Sequence, residues 1–414
     1  MLANIPTRLR LALSLVVLAV PPALAETANT ADSFVDSIGV CTHLGSQASP
    51  HYTNFAAVVS GFTTSGIRHA RDGFSFDWEA QRGTSLISAV KAATGVDVKF
   101  LFLENLSCNI TREDVHPKKY LAWGFALANI DAFEGMNEVK GWCNGSNPPW
   151  YVNVRNGQQY LWEAVKGNPQ LASIPVIGPS LYAAHETELR SDSAAIGDLT
   201  AYMNYGNEHD YTNEMMPSVH FSYQPSAEAA MNGALPVWGT EAGYPQSYIP
   251  LDRANKYYSR LFFENFNHGI VRTYAYELMD EPQNSGGEGT FGLLNADGTA
   301  KPMFNTITNL ITLLRDPGSA FTPGSLNYSF SGGPETLHHT LLQKRNGVFY
   351  LALWLELDWW NVTSATITVN FTGAQGHINQ YDPLTSVSPK TAWNNVPSVV
   401  LTVSDQATIL EISQ

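Results

Sequence analysis

The sequence contains few cysteines and few basic residues, and both shortages restrict what the protein can do. Only 3 of its 414 residues are cysteines, and an odd number cannot all pair within one chain. Lys and Arg number 23 against 37 Asp and Glu, which gives a formal net charge of -14. Nucleic-acid binding needs a basic surface, so this balance argues against a nucleic-acid partner.

The sequence also lacks the short motifs of several enzyme classes. The segment Gly178–Tyr182 has no closing glycine for a nucleophile elbow, and His185-Glu186 has no second histidine for a His-Glu-x-x-His site. There is no P-loop and no dinucleotide fingerprint, and Cys and His are not spaced as in a zinc site. We therefore expect neither a cofactor nor a metal.

Long apolar runs are confined to the first 25 residues. There, two arginines precede an apolar run at residues 11–20, and Ala23-Leu24-Ala25 follows it. This layout is typical of a secretory signal peptide cleaved before Glu26. The alternative is an uncleaved membrane anchor, but the run is shorter than the roughly 20 residues that span a bilayer. We expect a secreted protein, extracellular or periplasmic, with no membrane contact after cleavage.

Eight short apolar or β-branched runs alternate with amphipathic segments, as is typical of βα units around a parallel sheet. The runs are Ser37–Cys41, Ile67–Asp72, Val96–Leu103, Ile130–Asn137, Pro175–Pro179, Tyr205–His209, Val237–Glu241 and Ile270–Tyr276. Helical spacing is found in Phe55–Thr64, Ser85–Thr94, Tyr151–Lys166, Arg253–Asn267 and Met303–Leu314. The count predicts a (β/α)₈ TIM barrel over residues 26–320.

From about residue 321 the pattern changes to short runs of alternating apolar and polar residues. Asn346-Gly347, between two such runs, favours a β-hairpin. Short strands at near-regular spacing predict an antiparallel β-sandwich over residues 321–414. The pair Trp359-Trp360 in this domain indicates either the seam between the domains, which we favour, or a sugar-binding patch.

Two of the predicted barrel strands are followed or ended by a glutamate. Glu138 follows the fourth run directly, and Glu241 ends the seventh. Active sites of TIM barrels lie at the carboxyl ends of the strands, so both are candidate catalytic residues, although either one alone reads more simply as a solvated or capping side chain. Two carboxyl groups about 5 to 5.5 Å apart can cleave a glycosidic bond with retention, one as acid and one as nucleophile.

Asn137-Glu138 and the later Glu241 resemble the motifs of glycoside hydrolase clan A, the retaining (β/α)₈ glycosidases. The resemblance covers most of residues 38–314, and the β-domain is similar to the accessory sandwich of families 30 and 39. Family 5 is also similar, and no single family is assigned. The resemblance implies that Glu138 is the acid/base, that Glu241 is the nucleophile, and that Asn137 holds the sugar 2-hydroxyl.

An arginine at the end of the second strand is a further feature of the clan, and Arg71 occupies that place. A guanidinium beside Glu241 would keep it ionised and oriented, a two-bond task that lysine performs poorly. Arg68 is the competing assignment, and a surface ion pair is the simpler role for either. Asp72 is a candidate anchor for the arginine.

The resemblance also implies roles for residues on the sixth and eighth strands. In the clan a tyrosine near the sixth strand hydrogen-bonds the nucleophile, and His209 with Tyr211 fits, although Asp210 stands where many relatives have proline. The alternative is a core histidine and a tyrosine that caps the barrel. Tyr276 on the eighth strand fits the aromatic platform beneath the sugar, where C–H groups pack on a ring.

Position alone suggests three more substrate-binding residues. Trp142 follows Glu138, Tyr244 follows Glu241, and His43 ends the first strand, although aromatic residues are commonly core residues. Cys108 and Cys143 follow neighbouring strands, so a disulfide between them is plausible, and Cys41 would remain a buried thiol. These are the last of the candidate residues.

The sequence thus predicts a secreted, monomeric, cofactor-free retaining glycosidase acting on β-linked polysaccharide or oligosaccharide. Two alternatives stay open. One is a non-catalytic carbohydrate-binding barrel, because a fold does not guarantee activity. The other is a furanoside-specific (arabinofuranosidase-like) or inverting hydrolase, and carboxyl groups roughly 6.5 to 9.5 Å apart would favour inversion.

Overall fold

A computed structural model describes residues 24–45, 50–104, 107–182, 185–284, 286–361 and 363–414. Residues 1–23 of the predicted signal peptide lie outside this part of the chain. Across the described ranges, no helix combines the length and the apolar character needed to cross a membrane.

Strands and helices alternate through the first three quarters of the chain, and strands alone follow. The strands are β1 (Leu24–Thr27), β2 (Asn29–Thr30), β3 (Ile38–Cys41), β4 (His69–Asp72), β5 (Lys99–Leu103), β6 (Ile130–Glu134), β7 (Val176–Ile177), β8 (Gly206–Asp210), β9 (Val237–Ala242), β10 (Thr273–Ala275), β11 (Ser325–Ser331), β12 (Leu337–Gln343), β13 (Phe349–Leu355), β14 (Ala365–Tyr381), β15 (Thr391–Val403) and β16 (Thr408–Ser413). The helices are α1 (Ala31–Asp36), α2 (Phe55–Ser65), α3 (Asp77–Thr94), α4 (Lys119–Ala122), α5 (Lys140–Cys143), α6 (Trp150–Lys166), α7 (Glu186–Ile196), α8 (Gln224–Asn232), α9 (Leu251–Asn267) and α10 (Pro302–Leu314).

Strands β3 to β10 form a parallel sheet in the order β7-β6-β5-β4-β3-β10-β9-β8. A parallel bridge between Ile177 and Tyr205 joins the two outer strands and closes the barrel. Each of the eight predicted runs corresponds to one of these strands, so the predicted TIM barrel is confirmed. The interior of the barrel is filled by side chains, and six strands contribute to one apolar cluster there. Its buried members are Cys41, Leu101, Ala132, Ile177, Trp238 and Tyr274.

The outer helices pack on the sheet, and α9 packs on the β-domain as well. In α9 the side chains of Tyr258, Leu261 and Phe262 are at most 1% exposed. Removing one such side chain from water stabilises the fold by roughly 2 kcal/mol. Helices α2 and α3 both end at a glycine with positive φ, Gly66 at 74° and Gly95 at 76°, where a residue with a Cβ is disfavoured.

The second sheet folds into two layers around its own core. The first half of β14 pairs with β11, and the second half pairs with β16. Its other edge pairs with β15, and the register of that pairing shifts between Asn370 and Gln375. Side chains from both layers, including Leu351, Ile367 and Ile412, form one apolar cluster. The predicted antiparallel sandwich is confirmed, except that β2 pairs with β12 in parallel.

The β-domain also takes in the beginning of the described chain. Strand β1 pairs with β11 and strand β2 with β12, so residues 24–30 belong to this sheet, whereas the sequence pattern counted residues 26–30 with the barrel. The longest strand of the sheet, β14, runs through residues 365–381 and pairs with different strands along its length. The hairpin at Asn346-Gly347 joins β12 to β13, with Gly347 at φ 87°.

Strand β13 is buried on both faces and packs the two domains together. Its Trp354 is fully buried, stacks on Phe263 of α9 at 5.5 Å between ring centroids, and donates to Glu264 at 2.7 Å. The guanidinium of Arg253 lies over the ring of Trp359 at 3.3 Å. Trp359 therefore lies at the seam.

Candidate active site

Glu241 is held as an oriented carboxylate at the carboxyl end of β9. Arg71 donates from Nη1 to Oε1, and Tyr211 donates from its hydroxyl to Oε2, both at 2.6 Å. Burial alone would raise the pKa of Glu241, but the charges of His209 and Arg71 and the hydrogen bond from Tyr211 outweigh it and lower the pKa below its ordinary value. Such a group can attack an electrophile.

Glu134 fixes Arg71, a role that the sequence pattern did not predict. Arg71 donates to it twice, from Nε at 2.6 Å and from Nη2 at 2.9 Å. Glu134 is fully buried, and its Oε1 also accepts from Asn207 and Thr240 at 3.0 Å each. The signal was a charged residue inside an otherwise apolar run, because a buried carboxylate requires partners.

The structure tests two further interpretations, Arg68 in place of Arg71 and Asp72 as the anchor of the arginine. Arg68 lies at the other end of β4 and pairs with Asp32 at 2.6 Å. Asp72 accepts from Thr42 at 2.7 Å and from the backbone of Leu44 at 2.8 Å. Asp72 is therefore not the anchor of the arginine, and that interpretation is wrong.

Glu138 lies opposite Glu241 and is more open to solvent, with 27% of its side chain exposed. Its backbone has φ 48°, a left-handed conformation that is uncommon outside glycine. His209 Nδ1 lies 2.6 Å from Glu138 Oε1 and 3.5 Å from Glu241 Oε2. One oxygen of each glutamate and this nitrogen all lie within 4.8 Å of one another. The two carboxyl groups thus face the same small space.

Asn137 lies between this space and Arg71. Its Oδ1 accepts from Arg71 Nη2 at 2.7 Å and from the Ser180 hydroxyl at 3.0 Å. These bonds fix the amide so that Oδ1 is occupied by protein donors. Its N–H groups are then the part of the side chain available to a ligand hydroxyl.

Tyr276 and His43 form another wall of the site. The Tyr276 ring lies 5.7 Å from His43, 6.3 Å from Tyr211 and 5.3 Å from Phe291, between centroids. Phe291 was not predicted from the sequence, which offers no signal for it. The edge-to-face contacts hold the tyrosine ring at the side of the pocket.

His43 lies between two acidic residues that follow β10. Its Nδ1 is 2.9 Å from Glu281 and 3.2 Å from Glu277. Burial raises the pKa of Glu277 to about 7. Burial also opposes protonation of His43, but hydrogen bonds to Glu277 and Glu281 outweigh it and raise the pKa of the imidazole well above its ordinary value. This wall therefore has a polar, charged character.

The structure separates the two remaining aromatic candidates. Tyr244 is 1% exposed and packs on Tyr257 and Tyr258 of α9, so its prediction as a substrate-binding residue is wrong. Tyr244 comes two residues after the end of β9, and its side chain points back into the core. Trp142, in contrast, is 54% exposed and lies on α5, the short helix that follows Glu138.

The cysteines behave as expected from their positions. Cys108 and Cys143 form a disulfide that ties the segment after β5 to α5, and Cys143 lies five residues after Glu138. Cys41 is a buried free thiol, and its Sγ lies 3.9 Å from Arg71 Nη1. Next to this thiol, a cavity of about 320 Å³ opens along the ends of β3 to β5, lined by His43, Arg71 and Leu103 among others.

Two clusters in the pocket have the donors of a divalent cation, one imidazole and two carboxylates. They are His43 with Glu277 and Glu281, and His209 with Glu138 and Glu241. In both, the imidazole already lies within hydrogen-bond distance of a carboxylate. In each cluster the imidazole therefore already has a carboxylate as its hydrogen-bond partner.

No protein-family model and no curated protein matches the sequence. Solved structures do match in fold. A family 39 glycoside hydrolase from the gut symbiont Bacteroides cellulosilyticus WH2 has a TM-score of 0.62 at 16% identity, with 92% of this chain and 82% of that chain covered. A glucosidase from Croceicoccus marinus has a TM-score of 0.61 at 9% identity, with coverage of 94% and 97%. A family 39 β-xylosidase from Caulobacter crescentus has a TM-score of 0.56 at 14% identity, with coverage of 94% and 98%. The fold implied by the clan A resemblance is confirmed.

Proposed function

We propose that this protein is a secreted retaining glycoside hydrolase that cleaves β-glycosidic bonds in polysaccharide or oligosaccharide. The observation that carries the proposal is the pair of facing carboxyl groups of Glu138 and Glu241. One oxygen of Glu138 lies within 4.8 Å of one oxygen of Glu241. Two oxygens this close are compatible with the roughly 5 to 5.5 Å between the carboxyl groups of retaining enzymes and favour it over the 6.5 to 9.5 Å of inverting ones. The glycosidases that share the fold support the same class.

In the first step Glu241 attacks the anomeric carbon while Glu138 gives its proton to the leaving oxygen. Arg71 and Tyr211 each bind one oxygen of Glu241, so the carboxylate enters the reaction ionised and oriented. A covalent glycosyl-enzyme forms, and the aglycone leaves with the proton.

In the second step Glu138, now a carboxylate, takes a proton from water. The hydroxide attacks the same anomeric carbon and displaces Glu241, which recovers its charge. Two inversions restore the starting configuration. His209 contacts both glutamates and holds them in the shared space through the cycle.

Sugar recognition falls to the side chains around this pair. The free amide N–H groups of Asn137 suit a sugar hydroxyl next to the reacting carbon. The Tyr276 ring offers an apolar face for C–H groups, and His43 with its acidic neighbours offers hydroxyl partners. Trp142 is exposed at the rim, where it suits a sugar further along the chain.

The test is release of reducing sugar from β-glucans, xylans, mannans and arabinans by the mature chain and by Glu241→Gln and Glu138→Gln. We expect activity on at least one polymer and a loss of about 10³-fold or more in each variant. Glu163→Gln, on the outer face of α6 with 40% of the side chain exposed, is the matched control and keeps full activity.

Aryl β-glycosides assign the two roles. With a leaving group that needs no proton, Glu138→Ala keeps its first step, and added azide restores turnover and yields a β-glycosyl azide, whereas Glu241→Ala is inactive alone and with azide yields the α-glycosyl azide by a single inversion. NMR of the first product should show the β-anomer. Initial release of the α-anomer, or equal activity in Glu241→Gln, would refute the mechanism, and tight binding without turnover would point to a non-catalytic barrel.

A further inference from the structure

Three buried polar atoms converge behind the wall of the active site, on the outer face of β8. Glu208 and Asp210 alternate with His209 along this strand, so they point towards the helices while His209 points into the barrel. Glu208 Oε1, Asp210 Oδ1 and His220 Nε2 all lie within 4.8 Å of one another. None of the three atoms has a hydrogen-bond partner within the described ranges.

The histidine has a fixed tautomer. His220 Nδ1 lies 2.7 Å from the carbonyl oxygen of Pro217. A carbonyl can only accept, so Nδ1 carries a proton, and the neutral form of the ring has its lone pair at Nε2. That lone pair faces Asp210 Oδ1 at 3.6 Å and Glu208 Oε1 at 3.9 Å, distances beyond a hydrogen bond. Two carboxyl oxygens and one ring nitrogen therefore surround one point.

Among the residues that the structure describes, the surroundings supply no lysine or arginine partner. Glu208 and Asp210 are 2% exposed and His220 is 0% exposed. Glu228, also buried, adds a third carboxylate, whose oxygens accept from Gln224 and Asn232. In the described part of the chain, no Lys or Arg forms an ion pair with any of these carboxylates. A cluster of buried carboxylates requires a compensating cation or added protons.

We propose that Glu208, Asp210 and His220 bind a divalent transition-metal ion of the Zn²⁺ type. Metal–ligand bonds of about 2.0 to 2.2 Å in a tetrahedral site place ligand atoms about 3.4 Å apart, close to the separations seen. One imidazole nitrogen and two carboxylate oxygens suit Zn²⁺, whereas Ca²⁺ takes six to eight oxygens. The bond from Nδ1 to a backbone carbonyl is the arrangement that orients metal-binding histidines.

The ion is structural in this proposal, since it lies outside the barrel wall and away from the pocket. It joins β8 to the turn at Pro217–Ser222, the two ends of the segment that carries Tyr211. Spacing rules based on Cys and His did not find the site, because two of its ligands are carboxylates on one strand and only one is a histidine.

The test is metal content and thermal stability of the full chain. Protein purified from zinc-supplied medium should contain about one equivalent of Zn²⁺, and removal by EDTA should lower the melting temperature by a few degrees, restored by Zn²⁺ but not by Mg²⁺ or Ca²⁺. His220→Gln should lose the equivalent and the shift. His116→Gln, at an exposed histidine, and His43→Gln, in the pocket cluster, should keep both.

A variant that fails to fold does not block the test. Co²⁺ added to the stripped wild type should then give the visible bands of a four-coordinate site, which Zn²⁺ abolishes, and Glu208→Gln should weaken them. The proposal is overturned if the wild type binds no Zn²⁺, if Ca²⁺ stabilises it more than Zn²⁺ does, or if His220→Gln retains the ion. Stabilisation by acid alone, without a zinc effect, would assign the cluster to shared protons instead.

Discussion

Arg71 and Glu134 form a fully buried ion pair with two hydrogen bonds, Nε to Oε2 at 2.6 Å and Nη2 to Oε1 at 2.9 Å. The same guanidinium donates to Glu241 at 2.6 Å. The arginine therefore lies between two carboxylates, one inside the barrel and one at the pocket. The two bonds from Glu134 fix the position of Arg71 beside Glu241, so Glu134 is a positioning residue.

Glu134→Gln should lower kcat about 10-fold to 100-fold and leave KM nearly unchanged. The amide keeps the shape but loses the charge-assisted bonds, which are worth about 1.5 to 3 kcal/mol each. Arg71 then loses its fixed orientation towards Glu241, while Asn137, which Arg71 also holds, keeps its hydrogen bond from Ser180. Steady-state kinetics on the polymer identified above separates the two constants.

Urea unfolding of the same variant provides a second measurement. Removing one partner of a buried ion pair should reduce the free energy of unfolding by about 3 to 5 kcal/mol. Glu163→Gln, whose partner Arg112 is 61% exposed, should change it by less than about 1 kcal/mol. If Glu134→Gln raised KM alone, the residue would belong to substrate binding instead.

Tyr211→Phe should move the acidic limb of the pH dependence of kcat/KM to higher pH. The nucleophile reacts when ionised, so activity falls as pH drops through the pKa of Glu241. The hydrogen bond from Tyr211 helps to lower that pKa, and its loss must raise it. A bond to a charged group is worth about 1.5 to 3 kcal/mol, so kcat/KM should also fall about 10-fold or more at the optimum.

The control for this change is Tyr160→Phe on α6, whose ring packs under Arg112 on the outside of the barrel. This variant also removes one tyrosine hydroxyl, and it should leave the pH dependence of kcat/KM unchanged. A limb that stays fixed in Tyr211→Phe would show that the hydroxyl does not act on the ionisation of Glu241.

The sequence was sufficient to predict the barrel because its strands and helices differ in the period of their apolar residues. Each buried run, such as Val237–Glu241, is short, β-branched or apolar, and followed by a helical pattern. The ends of the strands then place Glu138 and Glu241 at one edge without further information. The position of Arg71 follows in the same way.

Contacts between distant elements were beyond the reach of such patterns. Glu134 lies in an apolar run, and nothing local says that its carboxylate reaches Arg71 from a neighbouring strand. Tyr244 is only three residues after a catalytic candidate, yet it packs on α9 in the core. Strands β1 and β2 are too short to show a period, so their pairing with the distant β-domain was not predicted.

The disulfide between Cys108 and Cys143 should stabilise the fold by about 3 to 4 kcal/mol. The bond closes a segment of 35 residues, and the loss of chain entropy in the unfolded state grows with that length. A Cys108→Ala/Cys143→Ala variant should therefore unfold at lower urea concentration. Reducing agent should shift the wild type by the same amount and leave the double variant unchanged, since Cys41 has no partner to lose. Equal midpoints in all four samples would contradict this estimate.

Arg260 should be the most costly residue to replace at the seam between the domains. It is fully buried on α9 and donates from Nη1 to the carbonyl of Leu355 at 2.8 Å and to Glu356 at 3.0 Å, and from Nη2 to the carbonyl of Leu357 at 3.1 Å. Arg260→Met keeps most of the volume but leaves the Glu356 carboxylate buried without its cation. Such a change costs about 3 to 5 kcal/mol.

A double-variant cycle isolates that charge effect from lost packing. Adding Glu356→Gln removes the stranded charge, so the double variant Arg260→Met/Glu356→Gln should unfold at higher urea concentration than Arg260→Met alone. The two single losses should then exceed the double loss by about 1 to 3 kcal/mol. Strict additivity would mean that Arg260 stabilises the seam through its two backbone carbonyls and its packing, and that the pairing with Glu356 contributes nothing.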